Sequence, residues 1–288
     1  MKPGPFEYVK AASVDAALTA LARFDGEARI IAGGQSLMPL MNMRMLRPTG
    51  IVDINDIPEL DGIAVAGGEV RIGALTRYAT IEGSAAISTH LPLVAHAIRR
   101  VADRQVRNRG TLGGSVCHAD PAAQMPLCAL TLEARLVLAG PQGRRVVPAS
   151  EFFLGAYQTA VDPLEMLIEI VYPDCRGSLA TLAQQVRRHG DFPIVSVAAS
   201  ARPNADGTWT QLKIGMCGLS DRPLELHDAV AALEGRKLDA DVVRKVSGLV
   251  GENIDPPTDV RATAEYRRHL APIYLEKALT MLLQEAPT

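Results

Sequence analysis

Thirteen residues of this sequence, Arg109 to Pro121, read R-G-T-L-G-G-S-V-C-H-A-D-P and hold three glycines, two hydroxyl side chains and one acid. Glycine has no Cβ to hold a ligand off and lets backbone N–H groups turn toward it, while Thr111 and Ser115 can each add a hydroxyl donor. That is the chemistry of a phosphate grip. A shorter relative lies upstream, Ile31-Ala32-Gly33-Gly34-Gln35-Ser36-Leu37, about eighty positions away. At that distance the two segments belong to different structural units, so they can hold one extended ligand from two sides. A diphosphate-containing cofactor satisfies the pattern.

Other chemistries fit less well. Each G-G pair alone reads as a tight turn. Neither G-x-G-x-x-G nor G-x-x-x-x-G-K-[ST] occurs, so a Rossmann dinucleotide site and a P-loop are unsupported. Gly33-Gly34-Gln35-Ser36 does not make the G-x-S-x-G elbow, which leaves Ser36 a poor nucleophile. Cys117, His118 and Asp120 are too close in sequence to close a tetrahedral metal site, and no second Cys/His pair lies nearby. Cys117 reads as a small apolar packer, with His118 and Asp120 hydrogen-bonding to backbone or ligand. Arg187-Arg188-His189-Gly190-Asp191-Phe192 reads as a solvated strand end. The run Met38 to Met45 reads as core, or as a surface toward a partner subunit.

Composition bounds the class. The chain has 288 residues, 48% hydrophobic and 22% charged, which excludes long disorder and favours two or three subdomains. A formal net charge of −2 implies neither nucleic acid nor an anionic membrane as partner. The four cysteines, 117, 128, 175 and 217, lack zinc or iron–sulfur spacing and read as thiols of a reducing compartment. No signal-peptide core and no run of eighteen apolar residues occurs, so no membrane span and a cytoplasmic location are expected.

The elements that position the two segments are legible in outline. Ser13 caps a helix to Phe24, and Arg29–Ile31 is a strand that runs into Ala32-Gly33-Gly34. Ile51–Ile54 is a second strand, ending at the Asn55-Asp56-Ile57-Pro58 turn. Ile63–Ala66 and Val70–Gly73 flank Gly67-Gly68 as a hairpin, and Arg135–Leu138 with Arg145–Val147 form another. Thr76 is expected to cap a short helix, and Leu93–Val101 and Met125–Ala134 to form two more. Met166–Val171 is a strand. After about residue 178, Ile194–Ser200 and Trp209–Cys217 are expected as antiparallel neighbours, followed by helices over Leu238–Val250 and Thr263–Leu283, the latter kinked at Pro272. These elements divide the chain into 1–57, 58–176 and 177–288.

With these residues in view, the sequence resembles the FAD-binding medium subunit of the molybdenum hydroxylases, the group that includes carbon monoxide dehydrogenase and xanthine-dehydrogenase-like enzymes. The likeness rests on Ala32-Gly33-Gly34-Gln35-Ser36-Leu37-Met38-Pro39, on Arg107-Asn108-Arg109-Gly110-Thr111-Leu112-Gly113-Gly114-Ser115 continuing into His118-Ala119-Asp120-Pro121, on Arg188-His189-Gly190-Asp191-Phe192, and on Tyr266-Arg267-Arg268-His269-Leu270. It spans essentially the whole chain.

The resemblance implies an α+β fold: a two-part FAD-binding domain of the p-cresol methylhydroxylase type (1–57 and 58–176), then a C-terminal α+β domain of antiparallel sheet and helices. It implies that Ala32, Gly33, Gly34, Gln35, Ser36 and Leu37, with Arg109, Thr111, Gly113, Gly114 and Ser115, bind FAD, the diphosphate mainly through main-chain N–H groups. His118 joins that set, and Asp191 and Phe192 fall in the segment that covers the isoalloxazine. Three positions depart from the family's habit. Phe192 replaces a common tyrosine and Asn42 a common lysine. Gln124 stands where an aspartate often meets the cofactor's hydroxyls, and its carbonyl accepts without charge assistance.

No catalytic residue or metal ligand is expected in this chain. The implied partners are a small iron–sulfur subunit with two [2Fe–2S] clusters and a large subunit with the molybdenum cofactor, assembled as a dimer of heterotrimers, and an external electron acceptor. Two alternatives stay open: a stand-alone FAD oxidoreductase, with Arg188 and Asp191 as its pocket candidates, and a nucleotide-binding module without redox turnover.

Overall fold

The computed structural model describes residues 2–252 and 254–286. Its first sheet is a three-stranded parallel one, in which Gly50–Asp53 lies between Glu7–Lys10 and Arg29–Ile31. Tyr8 pairs with Ile51 and Ile30 with Val52. The helix Val14–Arg23 crosses between the first two strands, and Ser13 caps it by accepting from the Ala16 N–H at 3.1 Å. Val14, Ala17, Ala20 and Leu21 form its buried face, and each large aliphatic so buried contributes roughly 1.5–3 kcal/mol. The strand Glu7–Lys10 is not expected from sequence, because E-Y-V-K on a sheet edge has three exposed residues and no apolar alternation.

The second sheet has five antiparallel strands in the order Ile63–Ala66, Glu69–Gly73, Met166–Pro173, Arg135–Gly140, Gly143–Pro148. Both expected hairpins form its outer pairs. Met166–Pro173 is the central strand, with a neighbour on either side, and is apolar and buried but for Glu169, which pairs with Arg71 at 2.7 Å, and the half-buried Pro173 at its end. The helices Pro92–Ile98 and Gln124–Thr131 share its core with Leu112 and Val116.

One expected cap is corrected. Arg77, not Thr76, precedes the helix Tyr78–Gly83. The buried Thr76 hydroxyl instead spans Gly62, accepting from its N–H and donating to its carbonyl, both at 3.0 Å. A hydroxyl that carries a donor and an acceptor can tie two chain segments, a use that local sequence does not reveal.

The third sheet, also antiparallel, runs Leu179–Gln185, Val195–Pro203, Trp209–Cys217, Leu224–Glu225. The helix Ala264–Glu285 packs across it and continues through Pro272. The expected helix over Leu238–Val250 divides into an α-helix, Ala240–Ser247, and a 3-10 turn, Gly248–Glu252. The apolar cores interlock: that of the first sheet takes in Leu60, Leu75, Met166 and Ile168, and that of the second Ala180, Leu182, Ala198 and Cys217. No described helix is long and apolar enough to cross a membrane.

Candidate functional site

The two glycine segments meet. Gly33 is buried, and a Cβ placed on it would overlap the Arg109 carbonyl and lie 2.9 Å from the Gly110 Cα. Only glycine permits this approach of backbone to backbone. Gly34 follows with φ +70° and turns the chain into the helix Leu37–Asn42.

The segments differ in what their amides do. Leu112 N–H donates to Thr76 O at 3.1 Å, Gly113 N–H to Ala74 O at 2.9 Å, and Gly114 N–H to the Thr111 hydroxyl at 3.1 Å. Ser115 N–H reaches Thr111 O at 3.2 Å. The second segment is therefore the capped start of a helix, Leu112–His118, rather than a loop, and its amides are committed within the fold. Gly113 packs against Ala74, since an added Cβ would sit 2.6 Å from both the Ala74 Cβ and its carbonyl oxygen. Gly114 is exposed.

The first segment is the opposite case. Among the described residues, no hydrogen-bond acceptor serves the amides of Gly34, Gln35, Ser36 and Leu37. Ser36 precedes the helix without a side-chain cap bond, and Gln35 Nε2 donates to Gly33 O at 2.9 Å. Successive free amides beside a hydroxyl form a concavity for an anion. A cofactor diphosphate fits this donor set: the Gly34–Leu37 amides supply free donors, and the Arg109–Ser115 segment supplies a packed wall, its Thr111 hydroxyl buried and engaged with the Gly114 N–H. The buried Tyr78 phenol lies behind that wall, its pKa raised by burial and eased by a hydrogen bond with Ser115.

Beyond the helix, Ala119 takes the left-handed conformation at φ +50° and Asp120 turns inward, 4% exposed. Its carboxylate accepts from the Ala122 N–H at 2.9 Å and from the Tyr157 hydroxyl at 3.1 Å. The His118 ring lies 5.1 Å from that of Tyr157. Burial lowers the His118 pKa against the opposing pull of Asp120, so the imidazole favours its neutral form.

Gln124 is 4% exposed and its amide donates to Arg100 O at 3.4 Å and Gln184 Oε1 at 3.2 Å. It thereby ties the helix Gln124–Thr131 to the strand Leu179–Gln185. Asn42 lies at the last turn of its short helix, half-buried.

The third motif comes to the same side. Gly190, at φ +88°, faces Ala102, where an added Cβ would lie 3.3 Å from the carbonyl carbon, and Ala102 precedes the helix Arg104–Arg109. Asp191 and Phe192 are exposed and line a recess of about 320 Å³ with Arg187, Gly190, Val260 and Arg261. The Arg261 guanidinium lies 5.2 Å from the Phe192 ring centroid, a cation–π contact. Arg188 is outside this lining, so the pocket candidates Arg188 and Asp191 do not line one recess. A larger recess of about 340 Å³, at Glu59–Ala64 and Arg71, contains none of the residues selected from sequence.

Several positioning residues have no sequence signal: Asn55, Arg77, Tyr157 and Gly218 act through partners distant in the chain. Arg267, within the fourth motif, is 1% exposed. It donates to the carbonyls of Ile194 and Gly218, the latter at 2.9 Å, and to Asp259 Oδ1 at 2.8 Å. Gly218 N–H in turn donates to Pro121 O at 2.9 Å, so one guanidinium links the ends of the second and third motifs. The four cysteines are free, and among the described residues no group of three His, Cys, Asp or Glu side chains is arranged to hold a metal.

Two family models cover this geometry: the FAD binding domain in molybdopterin dehydrogenase over residues 4–175, and the CO dehydrogenase flavoprotein C-terminal domain over 180–282. The chain is 36% identical to the 6-hydroxypseudooxynicotine dehydrogenase complex subunit alpha of Paenarthrobacter nicotinovorans, over 99% of this chain and 97% of that protein. It is 34% identical to the carbon monoxide dehydrogenase medium chain of Hydrogenophaga pseudoflava, over 97% of both. Among solved structures, carbon monoxide dehydrogenase from Hydrogenophaga pseudoflava superposes with a TM-score of 0.96 at 35% identity, over the whole of both chains. Quinoline 2-oxidoreductase from Pseudomonas putida 86 does so with 0.93 at 31%, over 99% of each.

Proposed function

This chain belongs to the family of FAD-binding medium subunits of the molybdenum hydroxylases, and on that premise we propose how its residues hold the cofactor and which partners it serves. The protein is an oxidoreductase subunit, a flavoprotein that works within a heteromeric complex. The observation that carries the site is the run of unserved amides from Gly34 to Leu37, set beside the Arg109–Gly110 backbone on which Gly33 packs.

Gly34, Gln35, Ser36 and Leu37 bind the FAD diphosphate through those amides and the Ser36 hydroxyl, and Ala32 and Gly33 carry the backbone that presents them. Thr111, Gly113, Gly114 and Ser115 form the facing wall, with Arg109 adding positive charge. His118 and Gln124 border the cofactor from the second unit, and Asp191 and Phe192 shield the isoalloxazine from the third. Segments 1–57, 58–176 and 177–288 are the working units. When bound, FAD can take up electrons singly and give up two. The chain's own contribution is to bind, orient and shield it, so no side chain here is a general acid or base.

The expected partners are a small subunit carrying two [2Fe–2S] clusters and a large subunit carrying the molybdenum cofactor, arranged as a dimer of heterotrimers in the cytoplasm. An external acceptor removes the electrons. The test is direct: the purified chain should be yellow and release FAD, not FMN, on denaturation. A colourless chain that takes up no FAD would overturn the assignment of the site. Co-purification of the native complex with iron and molybdenum analysis tests the partners, and a lone FAD-containing chain with substrate turnover of its own would favour the stand-alone reading.

A further inference from the structure

The seam between the two glycine segments is bolted by two side chains outside both. Asn55 Nδ2 donates to Ala32 O at 2.9 Å, in the first segment. The Arg77 guanidinium donates to Asn55 Oδ1 at 2.5 Å and, through its other terminal nitrogen, to the Arg109 carbonyl at the start of the second. Backbone pairing of Arg77 with Thr111 fixes the same register, with Tyr78 N–H on Gly110 O at 3.0 Å. Asn55 is itself set by Asp53, which accepts from its backbone N–H at 2.9 Å and its amide at 2.6 Å. Ala32, Asn55, Arg77 and Arg109 therefore form one hydrogen-bonded chain across the cleft.

Among the described residues neither Arg77 nor Arg109 forms an ion pair with a carboxylate. Arg77 is half-buried. Burial, and then the nearness of the Arg109 guanidinium, lower its pKa, with Asp61 and Asp53 opposing. A half-buried guanidinium without an ion-pair partner, fixed on Asn55 and the Arg109 carbonyl beside a set of free amides, favours an anion between the two units.

We propose that Asn55 and Arg77 form a brace that sets the spacing of the two glycine segments, and that the Arg77 charge adds to the hold on the cofactor diphosphate. The inference rests on the FAD site described above. Asn55 and Arg77 are positioning residues that act through Ala32 O and Arg109 O. The brace also gives directionality: a guanidinium can span two acceptors with a planar fork, whereas an ammonium cannot.

The experiment measures FAD dissociation from the full chain by recovery of FAD fluorescence, and competition by inorganic pyrophosphate, alongside thermal unfolding of the FAD-free protein. Arg77→Met should weaken FAD by about tenfold or more and also weaken pyrophosphate, since a charged hydrogen bond and a charge are lost. Asn55→Leu should weaken FAD while leaving pyrophosphate close to wild type, because the brace goes and the charge stays. Arg77→Lys should behave like Asn55→Leu, and this pair decides the matter if Arg77→Met does not fold. Wild-type FAD affinity in any of the three overturns the proposal. So does a loss of FAD that tracks the loss of thermal stability, which marks a merely structural role. A wild-type chain that binds neither FAD nor pyrophosphate overturns the site itself, a separate and distinguishable failure.

Discussion

Arg267 Nη2 lies 2.8 Å from Asp259 Oδ1, and the same carboxylate oxygen accepts the N–H groups of Arg261 at 2.9 Å and Ala262 at 3.1 Å. The turn that places Arg261 over Phe192 is thus fixed from behind by a buried cation. Removing the guanidinium is costly because the Ile194 and Gly218 carbonyls stay buried without a donor.

Arg267→Met should destabilise the chain by roughly 1–3 kcal/mol for each buried carbonyl left without a donor, read as a lower urea midpoint. Arg267→Lys should not restore it, since one ammonium cannot serve the Ile194 and Gly218 carbonyls and Asp259 together. An unchanged midpoint for Arg267→Met would refute this role.

Gly33→Ala should separate the two glycine segments, with about 1–3 kcal/mol of overpacking cost and reduced FAD content after purification. Gly83→Ala is the control, because an added Cβ there meets nothing within 4 Å. Equal FAD content in the two variants would show that the Gly33–Arg109 approach does not matter for binding.

Acid should loosen the Arg267–Asp259 contact. Burial alone would raise the Asp259 pKa, but the backbone N–H groups and Arg267 outweigh it and hold it below the ordinary aspartate value. A depressed folded pKa gives stability that is present above the unfolded value and lost as pH falls through the folded one. Between about pH 4 and pH 2 the wild type should lose melting temperature faster than Asp259→Asn. Parallel curves would exclude Asp259 as a contributor.

The thiols should be inert in the native chain. Burial pushes the Cys117 thiol up to about 12 and raises those of Cys128, Cys175 and Cys217. Thiolate is the nucleophile, so iodoacetamide at neutral pH should leave the folded protein unmodified and alkylate all four after unfolding, as counted by mass spectrometry. Rapid native alkylation at Cys117 would mean that the segment after the second glycine motif opens.

Much of this was legible in residue types. Gly33-Gly34, Thr111 and Gly113-Gly114 announce close backbone approach, and both hairpins follow from their turn residues and alternation. The role of each glycine was not. Gly113 serves packing on Ala74, Gly33 serves the meeting of the two segments, and Gly34 turns the chain. A missing Cβ shows that something comes near without showing whether that is ligand or protein.

The sequence by itself determined the family, the α+β class and the two glycine segments proposed to hold the cofactor, because turn chemistry and short motifs depend on neighbours in the chain. Only the tertiary structure decided which amides remain free, that the Thr111 segment starts a helix whose donors are spent, that Gln124 turns to Gln184, that Asn55 and Arg77 matter at all, and what Arg267 bonds to. Each of those depends on a partner between 22 and 73 positions away or on the full accounting of hydrogen bonds. Such an accounting exists only once the chain has folded.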